Sequence, residues 1–176
     1  MATVILGVCG SIAAYKAADV ASALVKLGHE VFCVCTPTAL QFVTPLTLMT
    51  LSRHPVISSF EEESTDWVPA HIALAQRADV LAIVPASAHT IGCMAHGLAP
   101  NVLTSLYLAN RAPVLLFPAM NSNMWEHPAT QQNVQTLRRQ GAHVYAPASG
   151  TLACGAVGQG RLLPVEEIVQ RIVEVL

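Results

Sequence analysis

Five strand-forming runs of four to six residues, none alternating polar with apolar, are spaced along this chain with helix-forming stretches between them. A strand buried on both faces loses the period-two pattern, so the arrangement predicts a parallel sheet with helices on both sides. The runs are residues 4–8, 30–35, 80–84, 114–117 and 143–146. Helical periodicity fills 13–27 until Gly28 stops it, and 72–78 after that. It returns from the turn at 85–90 as far as His96, over 128–140 up to Gly141, and over 164–175. Thr36 as cap with Pro37 behind it predicts a further helix through Phe42, and 118–124 reads as loop. Right-handed crossovers then give a doubly wound α/β fold of the flavodoxin or Rossmann kind, in three layers.

Composition sets the outer bounds. A chain of 176 residues suits one domain over 1–176, large enough for a core without staples. Hydrophobic residues make up 53% and charged residues 11%, yet no apolar run reaches the roughly 18 residues of a membrane span. So little charge leaves apolar surface to be covered by copies of the same chain, so a homo-oligomer is expected. The formal net charge of −2, without a Lys/Arg run, excludes a nucleic-acid footprint. Five scattered cysteines without Cys-x-x-Cys spacing, and a start that enters a strand directly, read as cytoplasmic thiols. No His/Cys/Asp spacing resembles a metal site. The segment 59–69, with Glu61-Glu62-Glu63, is the least regular and is expected to be mobile.

In doubly wound sheets ligands sit outside the carboxyl ends of the strands. Gly10-Ser11-Ile12 follows the first strand and opens a helix, presenting backbone N–H groups and a hydroxyl to a phosphate. The third glycine of a dinucleotide fingerprint is missing there, and Thr36 and Thr38 stand where such a site wants a carboxylate. A mononucleotide phosphate fits better, although local sequence alone also allows turn and cap roles. Pro85-Ala86-Ser87-Ala88-His89-Thr90 and Pro118-Ala119-Met120-Asn121 combine backbone-fixing prolines with small polar residues, which suits close approach to a flat ring. Of seven histidines, His71 opens a helix where a neutral imidazole could act as base. Cys154 reads as the one cysteine outside a strand or helix.

Together these segments resemble the flavoprotein cysteine decarboxylases, the family of phosphopantothenoylcysteine decarboxylases and of peptidyl-cysteine decarboxylases. The motifs that carry the resemblance span nearly the whole chain. They are Gly10-Ser11-Ile12-Ala13-Ala14-Tyr15-Lys16, His71-Ile72, the 85–90 loop, Pro118-Ala119-Met120-Asn121 with Met124-Trp125, and Leu152-Ala153-Cys154-Gly155. The resemblance implies FMN as cofactor, its phosphate held by Gly10, Ser11, Ile12, Thr36 and Thr38, its ring lined by Ser87, Ala88, His89, Thr90 and Ala119. It implies His71 as base, Asn121 as clamp on the substrate carboxylate and amide, with Met124 beside it, and Cys154 as the thiol that protonates the reduced intermediate. It also implies a homotrimer with flavin between subunits, sometimes assembled into a dodecamer.

The reaction implied is oxidative decarboxylation of a substrate ending in cysteine, most readily phosphopantothenoylcysteine to phosphopantetheine in coenzyme A biosynthesis. The alternative is the C-terminal cysteine of a ribosomal peptide, giving an ene-thiol; a non-catalytic flavin-binding regulator ranks below both. The family usually has Asn at the place of His89, an acidic residue at Pro100, and Glu and a basic residue at Ala73 and Gln76. With only Lys16 and Lys26 as lysines, scarce basic residues lean toward a peptide, while Cys154 leans toward phosphopantothenoylcysteine.

Overall fold

The computed structural model describes residues 1–60, 68–153, 155 and 157–176. Five parallel strands form the central sheet: β1 (Thr3–Val8), β2 (Glu30–Cys35), β3 (Val80–Ala86), β4 (Val114–Pro118) and β5 (His143–Val144), in the order β2-β1-β3-β4-β5. That is the flavodoxin-like doubly wound order, and its direction reverses between β1 and β3. All seven side chains of β3 are buried, which is why no alternation marks it.

The two faces are packed by different helices. On one, α1 (Lys16–Lys26) and α8 (Val165–Val173) bring Val20, Leu24, Ile168 and Ile172 onto Leu6, Val8 and Phe117. On the other, α3 (Ala70–Arg77), α4 (Ala88–Ala95), α5 (Val102–Ala109) and α7 (Pro128–Arg139) cover Ile5, Leu81, Ile83 and Leu116. A short 3-10 turn, Ile12–Tyr15, precedes α1.

Several expected elements differ. No helix spans 36–42: one 3-10 turn, Ala39–Gln41, follows Thr38, which is already in helical backbone and caps nothing with its side chain. The Thr-Pro start instead operates eight residues later, where extended Thr44 accepts from Thr47 N and Pro45 opens α2 (Pro45–Ser52). The expected loop at 118–124 contains α6 (Ser122–Glu126), capped by Asn121. Residues 102–109, not assigned from sequence, form α5 because Asn101 and Thr104 make a reciprocal capping box. A separate antiparallel pair, β6 (Ala148–Thr151) and β7 (Val157–Arg161), was also not expected, since Gly, Ala, Ser and Thr there carry little strand signal. Cys9 lies just past β1, so Cys154 is not the one cysteine outside regular structure. Cys154 itself, and residues 61–67 on which most of the expected mobility falls, lie outside the described residues.

Candidate active site

The carboxyl ends of three strands are tied side by side. Cys9 N donates to Pro85 O at 3.3 Å, joining β1 to β3, and Ala119 N donates to Ala86 O at 3.2 Å, joining β3 to β4. Met120 N donates to Gly160 O at 3.0 Å and brings β7 against the end of β4. Between these ends lies a cavity of about 490 Å³, within the range of small-ligand sites.

The first wall is the turn after β1. Gly10, Ser11 and Ile12 line the cavity, with Tyr15 and Lys16 on the following turn. Ser11 Oγ accepts from Ala13 N at 3.2 Å, and Ala14 N donates to Ser11 O at 2.9 Å. The N–H groups of Gly10, Ser11 and Ile12 donate to no group among the described residues, as expected of the orphan donors ahead of a first helical turn. A Cβ on Gly10 would stand 2.5 Å from Thr38 Cγ2, so only glycine lets this turn lie against Thr38. The donors and the tight cradle fit a phosphate monoester.

Ser87 and Ala88, at the start of α4, form the second wall. Ser87 Oγ accepts from Thr90 N and donates to Thr90 Oγ1, both at 3.2 Å. Beneath them burial pushes the Cys9 thiol pKa up, against hydrogen bonds from Thr90 and Ser87. Thr90 is buried, supports the loop and is not among the described residues that line this cavity. His89 is exposed and also absent from the lining; its Nε2 lies 3.6 Å from Cys93 Sγ, one turn along α4.

The third wall is Ala119, Met120, Asn121 and Met124. Asn121 Oδ1 accepts from Asn123 N at 2.9 Å, which sets the side-chain orientation at the head of α6. The fourth is the β6–β7 hairpin, with Thr151, Leu152 and Ala153 on one arm and Gly160, Arg161 and Leu162 on the other. No part of this wall apart from the Leu152–Gly155 motif had been singled out from sequence. The signal was Gly158 and Gly160 at strand spacing: a Cβ on Gly160 would run into the Met120 carbonyl oxygen, and one on Gly158 into Ser122 Oγ.

Thus the structure gathers Gly10, Ser11, Ile12, Ser87, Ala88, Ala119, Asn121 and Met124 from four separate segments. It leaves Thr36 and Thr38 outside the cavity wall: Thr36 is buried with Oγ1 accepting from Ala39 N at 3.3 Å, and Thr38 packs against Gly10. His71 is not in the wall either. It stands at the start of α3, edge-on to Phe60 with ring centroids 5.6 Å apart. No group of three or more His, Cys, Asp or Glu among the described residues is placed to hold a metal ion, and no described helix is long and apolar enough to cross a membrane.

The model of the family described as Flavoprotein matches residues 1–176. A probable phosphopantothenoylcysteine decarboxylase of Streptococcus mutans is 46% identical over 98% of this chain and 98% of its own length. The coenzyme A biosynthesis bifunctional protein CoaBC of Vibrio vulnificus is 43% identical over 94% of this chain, which spans 41% of that longer protein. Among solved structures, a PPC decarboxylase mutant complexed with pantothenoylaminoethenethiol is 31% identical, with a TM-score of 0.89 over 98% of this chain and 97% of the other. The FMN-dependent cysteine decarboxylase SpaF is 30% identical, with a TM-score of 0.84 over 99% and 97%.

Proposed function

The chain belongs to the Flavoprotein family, among its cysteine decarboxylases, and from that membership we propose that it converts phosphopantothenoylcysteine to phosphopantetheine with FMN, in coenzyme A biosynthesis. The observation that carries this reading is the cavity itself. The Gly10–Ile12 turn, the small residues Ser87, Ala88 and Ala119, and Asn121 meet there at the point where the strand order reverses, which supports a phosphate and a flat ring as ligands. A relative 46% identical is named a probable phosphopantothenoylcysteine decarboxylase and one 43% identical a coenzyme A biosynthesis protein, whereas the FMN-dependent cysteine decarboxylase SpaF is 30% identical. We read residues 1–176 as one FMN-binding unit, whether alone or as part of a longer chain.

In this proposal the amides of Gly10, Ser11 and Ile12 hold the FMN phosphate, and Ser87, Ala88 and Ala119 line the ring. FMN would supply a reversible two-electron oxidation of the substrate thiol, which lets charge left by departing CO2 spread onto sulfur and, with the two electrons given back to the decarboxylated product, leaves phosphopantetheine with net loss of CO2 alone. Asn121, held by its cap on Asn123 N, aligns the carboxylate for departure. His71 takes the proton. Because His71 is outside its own chain's cavity wall, we propose that a neighbouring copy supplies it, in a homotrimer that also covers apolar surface such as Leu46 and Leu98. Cys154, next in sequence to the cavity-lining Ala153, returns the proton to the decarboxylated product.

The test is to incubate FMN-loaded protein with phosphopantothenoylcysteine and, separately, with peptides ending in cysteine, and to weigh the products. Loss of CO2 alone from phosphopantothenoylcysteine is expected. Loss of CO2 with two hydrogens from the peptides, and inertness toward the small substrate, would move the chain to the peptide class.

A further inference from the structure

Among the described residues, the cavity wall holds two cations, Lys16 and Arg161, and no Asp or Glu. This is unusual for a chain with 9 basic and 11 acidic residues. Neither cation belongs to an ion pair among the described residues; those pairs use His54, Arg77 and Arg171. Two positive charges without an ion-pair partner among the described residues, on the walls of one concave site, raise the local concentration of anions. One phosphate of a mononucleotide accounts for one of them. Lys16 opens α1 one turn after Gly10 and Ser11 and lines the same wall of the cavity, so we assign it to that phosphate.

Arg161 stands on another wall, at the end of β7. Its Cα pairs with Ala148 on β6, yet a Cβ built on Gly150 would lie 2.7 Å from Arg161 Nη1 and 3.1 Å from its Cδ. The side chain therefore runs two residues along β6 toward the hairpin tip and lies flat on the bare backbone of Gly150, whose φ of +152° also excludes other residues. Gly160, the residue before Arg161, is fastened to the substrate side through its carbonyl and Met120 N, beside Asn121, so the Arg161 side chain starts at that anchor and runs from it along β6. The hairpin so carries a planar, two-donor cation away from the carboxylate end of the site.

We infer that Arg161 is the specificity-determining residue for a phosphorylated substrate, its guanidinium binding the phosphate at the end remote from the reacting cysteine. The inference rests on the decarboxylase reading and deepens it. A guanidinium fork matches two phosphate oxygens at once, which an ammonium cannot do. The scarcity of lysine in the sequence is then no argument against a phosphorylated substrate, because one arginine in the right place suffices.

The test compares wild type, Arg161→Gln and Arg161→Lys, each loaded with FMN, on phosphopantothenoylcysteine and on pantothenoylcysteine, the same molecule without phosphate. Arg161→Gln is expected to raise KM for the phosphorylated substrate roughly ten- to a hundredfold, the range for a lost charged hydrogen bond. KM for the unphosphorylated substrate should move less than about twofold, with kcat and the flavin absorbance unchanged. Arg161→Lys should restore part of the difference. Calorimetry with 4′-phosphopantothenate, which cannot be decarboxylated, should show the same Arg161-dependent weakening. An equal penalty on both substrates, or loss of flavin, places Arg161 on a shared group or on the cofactor and overturns the inference; so does 4′-phosphopantothenate binding that ignores the substitution. If wild type decarboxylates neither substrate but still binds 4′-phosphopantothenate through Arg161, the decarboxylase reading fails and the phosphate site stands.

Discussion

The indole N–H of Trp125 donates to Gln159 Oε1 across 3.2 Å, joining α6 to β7 behind the cavity. Gln159 passes the connection on, its Nε2 donating to Pro147 O at 3.0 Å, and Gln131 Nε2 donates to Trp125 O at 2.6 Å. The helix headed by Asn121 and the hairpin bearing Arg161 are thereby held as one unit, although 34 residues separate Trp125 from Gln159.

Gln159→Leu removes both bonds and leaves a buried indole N–H without its partner. A loss of about 1–3 kcal/mol in stability is expected. Because the hairpin loosens while the β1 turn is untouched, KM should rise with flavin content retained; thermal unfolding and steady-state kinetics on the same preparation check both halves.

Gly10→Ala drives a Cβ to 2.5 Å from Thr38 Cγ2 and 2.8 Å from Thr38 Cβ. The turn must move, at a cost of about 1–3 kcal/mol, typical of overpacking. We expect weaker FMN retention, read as the flavin-to-protein absorbance ratio after gel filtration. Thr38→Ser in the same chain removes the nearer atom and should recover part of it.

His71→Asn should keep the yellow colour and lower kcat by about 10²–10⁴. If the base comes from a neighbouring copy, mixing His71→Asn and Asn121→Ala subunits should regenerate a fraction of wild-type sites. A mixture no more active than its components would place His71 in its own chain's site or outside the chemistry.

Burial pushes the Cys33 thiol from 9.0 up to about 12, against a hydrogen bond from Ser52. The folded chain keeps this proton where the unfolded chain has released it, so stability falls as pH rises from about 9 toward 12. The slope is about 1.4 kcal/mol per pH unit for this one group. Urea titrations at stepped pH should show it, and Cys33→Ala should reduce the slope while leaving the share that the buried Cys9 contributes in the same direction.

The architecture was legible because burial on both faces writes itself into local composition: β3 is apolar throughout and β1 nearly so, and Gly28 and Gly141 end helices at positive φ. Residues immediately after those strands, Gly10 to Ile12, Ser87, Ala88, Ala119 and Asn121, could be named from sequence for the same reason, since strand ends and the loops after them are local features. Thr36 looked like a phosphate ligand by the same logic. Its hydroxyl is instead consumed by Ala39 N, a choice between cap and ligand that depends on backbone angles and not on residue type.

What the tertiary structure alone decided is which distant segments meet. The chain's own residues determined a doubly wound sheet and a glycine-serine first turn at its carboxyl edge, through periodicity and turn chemistry. The fourth wall came only from folding, because a strand of Val157, Gly158, Gln159, Gly160 and Arg161 has no apolar pattern and is held by pairing with β6, Met120 and Trp125. Arg161 enters the cavity, and His71 does not, through contacts that are long-range in sequence and therefore leave no local signature.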